Sequence, residues 1–336
     1  MSGAGLPIRV PYKTVESTDI PTDIFVPDRP IQDARGLTPV IIMFHGGGFM
    51  LGQAKMNNKD QIEDCMSRGW VVMSVEYRLC PGVDVLAGPM SDARDALEWA
   101  RNGGLGSAMK EAYSERVLPD PERIMAMGTS AGGHLALSLA WGTANRPLAI
   151  LDFYGAKHFE AEFWNRPIEQ IRSKLPSLTP ANDPVFQSLY EEKVTYIGGA
   201  SLEGQSEGGA RGPPSAPNLS DPRQLFVMNM IAQGQVVESI WSSAPKDLHL
   251  IDPVLNVHSD WPPTAFVHGT KDFMIPMEMS QYMETKLRSA GVETAFFSVP
   301  DEPHTFVGQM VKGSTTWHKQ REGFDFLERI LRRTYS

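Results

Sequence analysis

Gly128-Thr129-Ser130-Ala131-Gly132-Gly133 follows the run Arg123-Ile124-Met125-Ala126-Met127 and leads into His134-Leu135-Ala136-Leu137-Ser138-Leu139-Ala140. The order reads as buried strand, sharp turn and helix, with Ser130 at the tip of the turn. Glycines on either side of the serine permit strained backbone angles and keep side chains out of the crossing between strand and helix. Gly-x-Ser-x-Gly is the pattern of a nucleophile elbow. Because it fixes only three residues in five, its weight depends on what surrounds it.

Working outward, Pro39–Phe44 and Trp70–Val75 are apolar runs without alternation, as expected of strands covered on both faces. Residues 148–153, 263–268 and 293–299 supply three more strands. Helical spacing marks 57–68, 91–100, 277–290 and 317–333, the second of these with Ser91 as its N-cap. Strands alternating with helices imply an α/β chain, a mostly parallel central sheet flanked by helices. Shorter alternating segments at 8–14 and 20–26 read as an antiparallel edge pair. The alternation stops between Gly155 and Pro245. We therefore expect a core from 1–154 and 246–336, and a lid or cap insertion over 155–245 with a flexible Gly/Ser/Pro-rich loop at about 198–222. Leu225–Ile231 and Phe159–Trp164 are its candidate cleft-facing helices.

The chain has 336 residues, 41% of them hydrophobic, which suits one large core with an insertion. A net charge of −9 argues against nucleic acid or an anionic membrane as partner, since both favour a basic face. No stretch approaches the roughly 18 apolar residues of a membrane span. Met1–Pro7 has neither a cationic start nor an apolar leader, so a cytoplasmic location is expected. Cys65 and Cys80 fit that compartment as small core residues. Oligomeric state is left open.

A serine hydroxyl is a weak nucleophile at neutral pH and needs a histidine to take its proton and a carboxylate to orient that histidine. Asp272, in His268-Gly269-Thr270-Lys271-Asp272, follows one buried strand, and His304, in Glu302-Pro303-His304, follows the last. The order Ser, Asp, His is that of the α/β-hydrolase fold. Attack on a carbonyl also creates an oxyanion, which backbone N–H groups must already face. Gly46, Gly47 and Gly48 after His45, together with Ala131 at the start of the elbow helix, are the candidates. Phe49, Asp152 and Tyr154 are candidate pocket residues, with the alternative that Asp152 is a structural carboxylate capping a neighbouring loop. Phe153, Phe159, Phe163, Trp164 and Trp241 are either further pocket walls or core. Asp301 and Glu302 flank His304 as substitutes for Asp272, and His134 is expected to pack on its helix. No Cys/His cluster has metal-ligand spacing and no Gly-rich loop has nucleotide-binding form, so neither metal nor cofactor is expected.

Phe44-His45-Gly46-Gly47-Gly48-Phe49, Glu76-Tyr77-Arg78-Leu79-Cys80-Pro81, the Ser130 motif, Gly269-Thr270-Lys271-Asp272 and Glu302-Pro303-His304 together resemble the hormone-sensitive-lipase-like carboxylesterase branch of the α/β-hydrolase superfamily. The resemblance runs from about residue 38 to 310. It implies an oxyanion hole from Gly47, Gly48 and Ala131, a loop-supporting role for His45, and a structural ion-pair role for Arg78, with Asp92 as candidate partner. It implies carboxylic ester hydrolysis without a cofactor. Two departures stand out. Only 44 residues precede His45, so substrate cover is expected mostly from 155–245, and the family's usual Asp-Pro-Leu approach to the acid is replaced by Gly-Thr-Lys-Asp272. Gln61–Trp70 and Gly88–Arg94 are similar to fungal hydrolases of polyketide and polyketide–peptide biosynthesis, including the cytochalasan type, which implies a bulky small-molecule substrate. Hydrolysis of an ester, a biosynthetic acyl transfer, cyclisation or carbon–carbon condensation on the same residues, and ligand binding without catalysis all remain open at this point.

Overall fold

The computed structural model describes residues 7–113, 117–175, 184–199, 217–308 and 312–335. Its order is β1 (Ile8–Val15), β2 (Thr18–Phe25), β3 (Leu37–Phe44), α1 (Lys59–Ser67), β4 (Val71–Val75), α2 (Ser91–Arg101), α3 (Gly104–Tyr113), β5 (Leu118–Thr129), α4 (Ala131–Ser138) and β6 (Ile150–Phe153). Four helices follow, α5 (Glu169–Arg172), α6 (Pro184–Leu189), α7 (Pro222–Gln233) and α8 (Val236–Ile240). The chain then returns through β7 (Thr264–Gly269), α9 (Met277–Ser289), β8 (Thr294–Val299) and α10 (Thr315–Arg332).

The eight strands form one sheet in the order β1-β2-β4-β3-β5-β6-β7-β8. β1 pairs antiparallel with β2 and β2 antiparallel with β4, and every other pairing is parallel. Sequence character follows position: β1 alternates between exposed and covered residues at the edge, whereas β4 is buried throughout. The period of two divides β3 between two cores. Val40, Ile42 and Phe44 join the face covered by α2, α3, α4 and α9, while Ile41 and Met43 join the face covered by α1 and α10.

Between β6 and β7 the helices pack onto the first of these cores. α7 forms where Leu225–Ile231 is apolar, started by the Asp221 side chain accepting from Gln224 N (3.0 Å), with Pro222 in its first turn, and ended by Gly234 at φ +70°. Phe159–Trp164 does not form the expected helix; only Glu162–Asn165 makes a short 3-10 turn. The buried Asp252 carboxylate accepts from His158 N (3.0 Å) and Phe159 N (2.5 Å) at the start of this segment, and the backbone is still extended at Ala161 (φ −65°, ψ 136°). Most of the predicted 198–222 loop, residues 200–216, lies outside the described residues.

Arg78 pairs with Asp92, which is fully buried at the start of α2. Asp92 accepts from Arg78 N (2.8 Å), Nε (2.9 Å) and Nη2 (2.7 Å), and from Lys13 Nζ of β1 (2.7 Å). One carboxylate thus ties the chain after β4 to the edge strand and to α2. Removing a single member of a buried pair leaves the other charge stranded. We expect Asp92→Ala to lower unfolding stability by about 3–5 kcal/mol in urea titration, and a loss below about 1 kcal/mol to show that this pair is not the tie described.

Candidate active site

Ser130 lies between β5 and α4 at φ 52°, ψ −117°, a region that costs a side-chain-bearing residue about 1–3 kcal/mol. Backbone bonds on both sides hold it there. Ser130 N donates to Phe153 O (2.9 Å), while Ser130 O accepts from His134 N (3.2 Å) and Ala156 N (3.3 Å). The helix can start this close to the sheet because Gly132 has no side chain: a Cβ there would stand 2.1 Å from Phe44 O.

Asp272 and His304 follow the C-terminal ends of β7 and β8, on the same rim of the sheet as Ser130 after β5. His304 Nδ1 is 2.7 Å from Asp272 Oδ2, so the ring carries its proton there and leaves Nε2 as an acceptor for the Ser130 hydroxyl at 3.0 Å. Asp272 Oδ1 accepts from Met274 N and Ile275 N, both at 2.9 Å. Burial alone would raise the pKa of this carboxyl, but the charge and hydrogen bonds of His304 and His268 outweigh it and hold the group below the ordinary carboxylate range.

His45 to Gly48 turn tightly beside Ser130. Gly47 has φ +116°, and its carbonyl accepts from Met50 N (3.1 Å) and Leu51 N (2.9 Å). A Cβ on Gly47 would fall 2.2 Å from Leu51 O, so only glycine closes this turn. The His45 ring donates from Nδ1 to Gly46 O (2.7 Å) and stacks on Tyr77 at 4.3 Å, while the Tyr77 hydroxyl donates to His45 O (2.8 Å). Burial pushes the His45 pKa down to about 4, so this imidazole is a neutral brace. Gly47, Gly48 and Ala131 line the cavity above Ser130; Gly46 sits behind them with its carbonyl held by His45. As the first residue of α4, Ala131 has an N–H without an intrahelical acceptor.

The cavity and its mouth together span about 650 Å³, open solvent included. Ser130, His304 and Thr305 form its floor, and Phe49, Phe163, Trp164, Ile168, Ile231, Val236, Met274 and Ile275 give it apolar walls. Arg166 stands at its edge, paired with the exposed Glu162. Phe49 therefore lines the space as expected, but Asp152 and Tyr154 do not. Asp152 is fully buried, accepts from Gly155 N (2.9 Å) and pairs with Lys157 (2.8 Å), the loop-capping alternative. Tyr154 is buried with its ring edge against His304 at 4.9 Å. Asp301 pairs with Lys271, and Glu302 accepts from the Thr316 hydroxyl (2.6 Å), so both point away from His304. His134 is 2.9 Å from Ala156 O and its burial lowers its pKa to about 3. Trp241, Phe153 and Phe159 belong to the cores. Ile231 lines the cavity from the segment expected to face a cleft; sequence reasoning missed Arg166 and Val236, whose place at the site comes from how the segment between β6 and β7 folds back, and Met274, which the loop after β7 brings in beside Asp272. Among the described residues no group of three or more His, Cys, Asp or Glu is placed to hold a metal ion, and no helix is long and apolar enough to cross a membrane.

Residues 22–166 match the family model described as BD-FAE. Curated relatives include the non-reducing polyketide synthase prhL of Penicillium brasilianum, 29% identical over 355 aligned positions that cover 96% of this chain and 14% of that protein. Another is the non-reducing polyketide synthase trt4 of Aspergillus terreus, 31% identical with 88% of this chain and 13% of that protein covered. The chain thus spans about 14% of the length of such relatives. Similar solved structures include Thermogutta terrifontis esterase 2 phosphoramylated by tabun, with TM-score 0.60 and 18% identity over 99% of this chain and 96% of that one. The propionate-bound form of the same esterase gives TM-score 0.58 and 20% identity, again over 99% and 96%. Likeness at this identity speaks for the fold.

Gly132 offers a test of the elbow's packing. Helix propensity alone favours alanine over glycine by about 1 kcal/mol, whereas the contact with Phe44 O demands a shift of backbone. Gly132→Ala is expected to destabilise the protein by about 3 kcal/mol or more in thermal or denaturant unfolding, and a stabilised variant would contradict the crossing described.

Proposed function

We propose that this α/β-hydrolase, esterase-like in fold and similar to a segment of fungal polyketide synthases, is a serine hydrolase that cleaves carboxylic esters through an acyl-enzyme. The observation that carries the reading is the hydrogen-bonded series Ser130, His304, Asp272 at the floor of an apolar cavity. Ser130 Oγ attacks the ester carbonyl carbon as His304 Nε2 takes its proton. The carbonyl oxygen becomes an oxyanion facing the N–H groups of Gly47, Gly48 and Ala131, where one preorganised donor is worth about 2.7–4 kcal/mol. On collapse His304 returns the proton to the departing alkoxide. Water then attacks the acyl-serine with His304 again as base, and the acid leaves with Ser130 restored.

Asp272, held ionised, keeps the proton on Nδ1 of His304 and stabilises the imidazolium formed at each transfer. His45 and His134 are neutral across the working range because burial pushes them to about 4 and about 3. His304, the base that meets the serine, governs the acid limb of activity in this reading. In this reading residues 155–245 act as a cap supplying Phe163, Trp164, Ile168, Ile231 and Val236, and the acyl group is apolar. The reading needs no cofactor, and the apolar cavity suits a small-molecule substrate.

Similarity to polyketide synthases favours a second reading on the same residues, in which a polyketide-derived acyl group is passed from Ser130 to an alcohol, amine or carbon nucleophile in place of water. Mass spectrometry on a polyketide-like thioester, offered with and without such nucleophiles, separates transfer from hydrolysis.

On a p-nitrophenyl ester series we expect Ser130→Ala to fold normally and lose about 10⁴-fold or more in kcat; retention of most activity would remove Ser130 from the mechanism. Val236→Phe narrows the apolar space and is expected to move the preferred acyl chain to shorter esters, lowering kcat/KM for the longest by about tenfold relative to acetate. An unchanged chain-length profile would place the acyl group elsewhere.

A further inference from the structure

Behind Asp272 runs a buried polar chain that the hydrolytic steps do not use. His268, near the end of β7, stands with Nε2 at 3.1 Å from Asp272 Oδ2 and 2.9 Å from Ile275 O. Its Nδ1 is 2.9 Å from the hydroxyl of Ser280 on α9, and that hydroxyl accepts from Lys157 Nζ at 2.8 Å. Lys157 also donates to Gly155 O (2.5 Å) and pairs with Asp152 (2.8 Å). His268, Ser280, Lys157 and Asp152 are all without solvent exposure.

The direction of this chain follows from donor counting. An ammonium group has three donors and no acceptor, and Lys157 directs them at Asp152, Gly155 O and Ser280 Oγ. His268 Nε2 faces only acceptors, Asp272 Oδ2 and Ile275 O, so it carries the ring's hydrogen, and Nδ1 of the neutral ring accepts the hydrogen of Ser280, which itself accepts from Lys157. Every hydrogen between Lys157 and Asp272 points toward the carboxylate. Burial lowers the pKa of Lys157, an effect opposed by the charge and hydrogen bond of Asp152.

We propose that Lys157, Ser280 and His268 form a positioning relay that fixes the orientation of Asp272 and moderates the basicity of its Oδ2, and through it the proton affinity of His304. The inference rests on the proposed roles of Asp272 and His304. Oδ2 is shared between two imidazoles, and the donor from His268 withdraws charge that would otherwise stabilise the His304 imidazolium. Together with Met274 N and Ile275 N it also stops the carboxylate from rotating. The charged and titratable groups facing this chain are His304 from the loop after β8, Asp152 from β6, Asp252 near Lys157, and Tyr154, whose ring edge meets His268 at 6.3 Å and His304 at 4.9 Å.

The test is the pH dependence of kcat and KM on p-nitrophenyl butyrate for wild type, His268→Phe, His268→Gln and Ser280→Ala, each checked for folding by circular dichroism. His268→Phe removes the donor. Its acid limb is expected to move to higher pH by about 0.5 unit, with kcat down about 10- to 100-fold and KM nearly unchanged. His268→Gln, whose amide N–H can face Oδ2, is expected to restore much of both, and Ser280→Ala to shift the limb in the same direction by less. Folded, active His268 and Ser280 variants with the wild-type limb and kcat would overturn the relay while leaving the hydrolase reading intact. If His268→Phe does not fold, the Gln and Ser280 variants decide on the same criterion. Wild-type turnover that survives Ser130→Ala would instead overturn the hydrolase reading and the relay with it.

Discussion

The close crossing of α4 over the sheet is the constraint on which the rest depends. Ser130 is held at a positive φ by bonds from Phe153, His134 and Ala156, and the helix behind it approaches within a distance that no side chain at Gly132 would tolerate. The strain is local and is offset by the buried core beneath it, where β3, β5 and β6 run parallel as apolar strands. What the geometry achieves is a hydroxyl presented to the cavity from a rigid support. The same crossing places the first N–H groups of α4 beside the glycine loop that follows β3.

Around this point the polar groups are arranged so that each has a fixed direction. Asp272 accepts four hydrogen bonds, two from backbone and two from imidazoles, which explains how a buried carboxylate remains ionised. The histidines near the site differ by environment: His45 and His134 are kept neutral by burial, His268 backs the carboxylate, and His304 touches the serine. Further from the site, the Arg78–Asp92 pair fixes the chain after β4 with the same economy of one carboxylate serving several donors.

Much of this was legible in the sequence because it depends on local pattern. Apolar runs without alternation identified the central strands, the small residues around Ser130 identified the crossing, and the order of Ser130, Asp272 and His304 identified three loops on one rim of the sheet. The α/β-hydrolase fold expected from those motifs is the fold found. Features set by tertiary contact were not legible. Asp252, more than ninety residues away in sequence, fixes the backbone at His158 and Phe159, and the chain turns helical only from Glu162. Asp152 reads from the sequence as a pocket acid or, more readily, as a structural carboxylate, and its pairing with Lys157 decides for the second. His268 reads as the end of a strand, although its position four residues before Asp272 is the signal that a second imidazole can share that carboxylate.

The central claim is that Ser130, activated by His304, is the group that becomes acylated. Intact-protein mass spectrometry after treatment with a fluorophosphonate, followed by peptide mapping, tests it most directly. The account predicts a single adduct on Ser130 in the wild-type protein, formed far more slowly in His304→Gln and absent in Ser130→Ala. No adduct on a folded wild-type protein, or one mapped to a different residue, would contradict it.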